Sequence, residues 1–188
     1  MPRFIDFLAG LVGVNRRPPA PPKPPPPPPP PVQPDWHLKL VALHNEARAS
    51  RGAGPLAADL RLRAAAQAYA DWLAANKVLP RDHGGPGGNT VGDRLAQAGY
   101  KYRTAGENIA RGQPTPDAVF TAWMTSSGHF RNVVNAQFTV FGAGRAVDDE
   151  GRVYWCCDFA APLALGSALA IVYVHTPGGI DADAPPPE

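Results

Sequence analysis

Four residues of this 188-residue chain have the types and the order to do chemistry. Glu107 lies in the short segment Gly106-Glu107-Asn108-Ile109-Ala110. Ser126 and His129 lie in Trp123-Met124-Thr125-Ser126-Ser127-Gly128-His129, and His83 stands upstream, before a glycine-rich loop. Two chemistries use these types. Neutral imidazoles are good zinc ligands, and a zinc site takes three or four donors; His83 and His129 would supply two, with Glu107 coordinating or orienting a histidine. Alternatively, Ser126, His129 and Glu107 are the nucleophile, base and orienter of a hydrolase. Ser126 and His129 are three apart and share a helix face if the helix runs on through Gly128. If it does not, Ser126 ends the helix and His129 is structural. The chain has no Gly-x-Ser-x-Gly elbow and no evident oxyanion hole. A polar, hydrogen-bonded cleft that organises loops uses the same residues without any reaction.

Several elements must position them. Asp35 opens a first helix to about Ser50, with Leu38, Val41, Leu43 and Ala47 as its apolar side; Gly52 and Pro55 stop it. Asp59 caps an alanine-rich second helix to about Val78, with the stripe Leu62, Ala66, Tyr69, Leu73. Thr90 and Asp93 form a capping box for a short helix that ends at Gly99. Residues 106–110 form a strand or an extended loop. Thr115 caps a fourth helix, with Pro116 at its first position and Asp117 at the positive end of its dipole. Strands follow at about 138–147 and 153–159, joined by a turn at Asp148-Asp149-Glu150-Gly151, and a third is expected at 168–175. Helices first and antiparallel strands later predict α+β layering.

The ends read differently. Thirteen prolines fall within residues 18–34, which excludes helix and sheet and predicts a polyproline II spacer of about 50 Å. Residues 1–17 form a short apolar segment in which Phe4, Phe7, Leu8, Leu11 and Val12 keep helical spacing. Residues 1–14 would then dock on a membrane surface or a partner. The segment makes a poor signal peptide because Asp6 interrupts it, and it is too short to span a membrane. The domain itself is expected at 35–176, with a flexible tail at 177–188. The net charge of +2 and the lack of a basic stripe argue against nucleic acid. Cys156 and Cys157 are adjacent, so they point to opposite faces of a strand, one buried and the other facing the second layer or solvent. Both are expected as free thiols.

The ordered set of motifs resembles the CAP superfamily (SCP-like; cysteine-rich secretory protein, antigen 5 and pathogenesis-related 1), bacterial type. The resemblance runs from about residue 37 to 160. It is carried by Leu43-His44-Asn45-x-x-Arg48, Pro55-Leu56, His83, Gly106 to Ala110, Trp123-x-x-Ser126-x-Gly128-His129-x-x-Asn132, Phe141 to Gly144 and Tyr154-Trp155. It implies a three-layer α-β-α sandwich with an antiparallel sheet. It also implies a central cleft lined by His83, Glu107, Ser126 and His129, with His44, Asn45, Asn108 and Trp123 as structural motif residues. Family members hold a divalent cation such as zinc with two His and two acids. Here His83 and His129 would be the metal ligands, and the second acid maps to Ser126, so zinc binding is expected to be weak and no cofactor is required. The resemblance implies an extracellular or cell-envelope protein. It would act as a binding module for a lipid, another small apolar ligand or an envelope protein rather than as an enzyme.

Overall fold

The computed structural model describes residues 35–163. The expected N-terminal segment, proline spacer, strand at 168–175 and C-terminal tail lie outside them. The element order is α1 (Asp35–Ala49), β1 (Ala57–Ala58), α2 (Leu60–Asn76), α3 (Val91–Gln97), β2 (Tyr102–Arg111), α4 (Pro116–Met124), α5 (Ser127–Val134), β3 (Val140–Val147) and β4 (Val153–Pro162).

Local chemistry sets most boundaries. Asp59 caps α2 by accepting from the Arg61 amide. Thr90 and Asp93 make a reciprocal capping box on α3, and Thr115 with Pro116 opens α4. Each arrangement satisfies amides that a helix start leaves unpaired. The β3–β4 turn closes at Gly151, whose φ of +79° suits glycine, while Asp148 accepts from the amides of Glu150 and Arg152.

The four strands are ordered β1-β3-β4-β2. β4 runs antiparallel to both β3 and β2. The two-residue β1 pairs parallel with β3, so the sheet is mixed rather than purely antiparallel. A strand's alternation divides the core. Ile109, Tyr154 and Cys156 pack under α2 with Ala66, Tyr69, Ala70 and Leu73. Phe141, Ala143, Trp155, Cys157 and Phe159 pack on the other face with Leu40, Val119 and Trp123. The result is a three-layer α-β-α sandwich. Close approach of α2 requires glycine at Gly142 and Gly144, where an added Cβ would stand 2.2–2.3 Å from the backbone of Leu62–Arg63 and Ala66.

One expectation changes and two that stood open are decided. The thiols are free and on opposite faces, and the second faces the other helical layer rather than solvent, because helices cover both sides of the sheet. The buried side of α1 is not the Leu38 side: Leu38 is 48% exposed, and His37, Leu40, His44 and Arg48 face inward. Of the two alternatives at Gly128, the helix ends first: α4 stops at Met124, and Ser126 is the N-cap residue of a separate α5.

The buried α1 face is polar and has definite work. Arg48 donates to the carbonyls of Gly54, Val133, Asn135 and Phe138 at 2.7–2.9 Å, tying α1 to the α5–β3 connection. Asn45 exchanges two hydrogen bonds with the Leu56 main chain. His44 sits among Phe120, Phe141 and Phe159 with Nδ1 2.8 Å from the Leu40 carbonyl. His37 is buried with no partner for either ring nitrogen.

Burial lowers both histidines to about 4; the charge of Arg63 adds to the effect on His37, and at His44 the Leu40 hydrogen bond partly opposes it. Both fold as neutral rings, while the unfolded chain protonates near pH 6.5. Stability is therefore full above pH 6.5 and falls as pH drops from 6.5 to 4, by about 3 kcal/mol per histidine. Urea unfolding across that range should show the loss, and His37→Leu should remove roughly half of the slope. A flat profile between pH 6.5 and 5 would contradict this.

Candidate functional site

The candidate residues converge on β2, the edge strand, where the two helical layers meet. Register places Glu107 opposite Asp158, which in turn faces Gly142. Glu107 therefore points toward the α2 and α3 layer, and Asn108 points toward α4 and α5. Glu107 Oε1 accepts from His83 Nδ1 at 2.8 Å, and Oε2 accepts from Arg94 Nη2 of α3. Only 2% of the Glu107 side chain is exposed. Because an ionised carboxylate can only accept, His83 carries its proton on Nδ1 and leaves Nε2 for the cleft.

Arg94 was not among the residues that spacing or motif singled out, yet it organises the His83 loop. Its Nη1 donates to the carbonyls of His83 (3.3 Å) and Asn89 (2.9 Å). Its guanidinium carbon lies 3.6 Å from the Tyr69 ring centroid, and Tyr69 Oη donates to the Gly84 carbonyl. His83 itself has φ +59°, a left-handed backbone that non-glycine residues rarely take. Contacts from α2, α3 and β2 together fix a strained residue in place.

On the other face, Asn108 Nδ2 donates to the His129 carbonyl at 3.1 Å. Asn132, three residues along α5, donates to Asn108 Oδ1 and to the Glu107 carbonyl at 2.9 and 3.0 Å. Trp123 Nε1 donates to the Ile109 carbonyl. These side chains cover an edge strand that would otherwise offer its carbonyls to another chain. The close seating of α5 also explains Gly106, where a Cβ would fall 2.8 Å from the Phe138 ring and 3.1 Å from Asn132 Oδ1.

Electrostatics separate the members. Burial alone would raise Glu107, but the His83 hydrogen bond and the Arg94 charge and hydrogen bond hold it below the usual carboxylate range. Asp158, fully buried, is pushed well up by burial and by the Glu107 charge. Cys156 is pushed up by burial, then by the Asp158 and Glu107 charges. His129 is lowered by burial and then by the charge of His83. Ser126 is half-buried, and its hydroxyl does not cap α5. Among the described residues, Glu107, Cys156 and Asp158 also bring one ligand-type atom each within 4.8 Å of one another.

The model of CAP, the cysteine-rich secretory protein family, matches residues 41–159. The chain belongs to this family. It is 40% identical over 106 residues to the uncharacterized protein YkwD of Bacillus subtilis, a match covering 56% of this chain and 40% of YkwD. An extracellular protein containing an SCP domain from Bacillus anthracis aligns with TM-score 0.61 and 28% identity, over 70% of this chain and 44% of that one. An outer surface protein of Borrelia burgdorferi aligns with TM-score 0.62 and 21% identity, over 67% and 92% of the two chains, and shares the fold. The chain thus spans about two-fifths of the curated relative's length.

The CAP resemblance implies a divalent metal, and the donors do not fit one well. The two imidazoles are available, but both Glu107 oxygens are engaged and Ser126 brings no charge. Two protein donors fall short of the three or four of a zinc site.

Removing the Glu107 charge leaves Arg94 buried without a counter-ion. Glu107→Gln should lower the unfolding free energy by about 3 kcal/mol in urea denaturation. An unchanged midpoint would show that the pair does not support the fold.

Proposed function

We propose that this CAP domain is a non-catalytic binding module of the cell envelope or extracellular space, presenting the His83/His129 cleft to its ligand. The observation that carries this reading is the pairing of Glu107. A hydrolase built on Ser126 and His129 needs the acid to orient the same histidine that activates the serine. Glu107 instead holds His83, from the opposite layer to α5, and Asn108 engages His129 only through its carbonyl. The nucleophile, base and orienter types are thus divided between two histidines.

Support for the compartment comes from the B. anthracis and B. burgdorferi structures, described as extracellular and outer surface proteins. No helix among the described residues is long and apolar enough to cross a membrane. The ligand class proposed is a lipid, another small apolar molecule or an envelope protein; a surface groove of about 350 Å³ lined by Asp71, Lys77, Asp148 and Asp149 lies away from the two histidines and does not bear on this choice.

Serine-reactive fluorophosphonate separates binding module from hydrolase. The expected outcome is no covalent labelling of the folded protein. Labelling that disappears in Ser126→Ala would overturn the proposal in favour of a serine hydrolase.

A further inference from the structure

The site contains one buried cation of its own, and it stands where a metal's charge would be needed. Arg94 is 7% exposed and bonded to Glu107 Oε2. That is the same oxygen that lies 3.4 Å from Cys156 Sγ, and Cys156 Sγ is 3.6 Å from Asp158 Oδ1. Sulfur-to-oxygen separations of this size are those found around one small tetrahedral ion with bonds of about 2.0–2.3 Å. The trio therefore has the spacing of ligands, but one of its members, Glu107 Oε2, already carries a guanidinium.

Charge decides what the cluster accepts. The Glu107 carboxylate is already paired with the Arg94 guanidinium, and both side chains are buried. A divalent ion entering there would have to displace that guanidinium from Oε2 and leave it buried without a counter-ion. Among the described residues, Glu107 is the one acid that touches a histidine, and its charge is already balanced by Arg94. Ser126 supplies no replacement.

We propose that Arg94 is a built-in cation that takes the place of a divalent metal in this domain. It neutralises Glu107, fixes the His83 loop through the His83 and Asn89 carbonyls, and so orders the cleft without metal. Arg94 is a positioning residue in this account, because it reaches the cleft only through Glu107 and the loop backbone. The inference holds whether the cleft binds a ligand or turns one over.

Zinc titration by calorimetry on the full chain tests it. The wild type should show no saturable uptake in the micromolar range. The nitrogen-15 shifts of His83 should keep the Nδ1-protonated form when zinc is added. Arg94→Met, if folded by circular dichroism, frees Glu107 and should bind zinc at least about tenfold more tightly than wild type, with the gain lost in Arg94→Met/His83→Ala. Arg94→Lys retains the charge and should behave as wild type. Micromolar, His83-dependent zinc binding by the wild type would overturn the proposal, as would a folded Arg94→Met with no gain. The wild-type arm decides by itself if Arg94→Met does not fold. Its result is separate from fluorophosphonate labelling, which reads Ser126 alone.

Discussion

Neighbouring residues of a strand must point to opposite faces, and the candidate site hangs on this constraint at Glu107 and Asn108. Because β2 is the outer strand of the sheet, its two faces are reached by helices from different layers. Glu107 draws in α3 through Arg94 and the preceding loop through His83. Asn108 draws in α5 through the His129 carbonyl and Asn132. One dipeptide thus joins both helical layers, holding the His83 side chain from one face and the His129 backbone from the other. A one-residue slip of β2 would exchange the two faces and destroy both sets of bonds at once.

The polar groups beneath the cleft are expensive to bury, and their arrangement keeps the cost down. Glu107 and Asp158 are direct cross-strand neighbours, and two ionised carboxylates there would repel each other in a medium that screens poorly. Arg94 compensates one of them. The other holds its proton, because burial and the Glu107 charge both oppose its ionisation. Asp158 Oδ2 and Arg94 Nε remain without partners. The polar network is thus charge-balanced but not fully hydrogen-bonded, and its strength lies in the contacts of Glu107.

Local chemistry made much of this legible in the sequence. Caps at Asp59, Thr90 and Thr115 and the turn at Gly151 depend on neighbours within a few positions, so the chain states them directly. The motif segments around Glu107, His129 and Asn132 are legible for a related reason: they combine a special backbone requirement, as at Gly106, with side chains that close onto it. What escaped is long-range. β1 is two alanines whose strand character comes only from pairing with β3. The α4–α5 break carries no glycine or proline at Thr125 or Ser126. Arg94 and Asp158 carry no local signal and meet Glu107 only through the fold, one from α3 and the other across the sheet. On α1, the apolar residues suggested the wrong face, since His37, His44 and Arg48 find partners or apolar shelter that no helical period reveals.

Two buried arginines show how the fold obtains a rigid cleft from different means. Arg48 has no carboxylate and spends its donors on four carbonyls, three of them in the segment from Val133 to Phe138. That segment begins in the last turn of α5, so Arg48 fixes the far end of the helix that carries His129. Arg94 spends its donors on Glu107 and on the backbone of the loop that carries His83. Carbonyls hold a guanidinium by charge–dipole hydrogen bonds, whereas a carboxylate adds a full opposite charge and so couples the loop to the ionisation of Glu107. The His129 side of the cleft is therefore held by backbone carbonyls and the His83 side by an ion pair. On the proposed binding role, this prior placement would leave less of a ligand's binding energy to be lost in ordering loops.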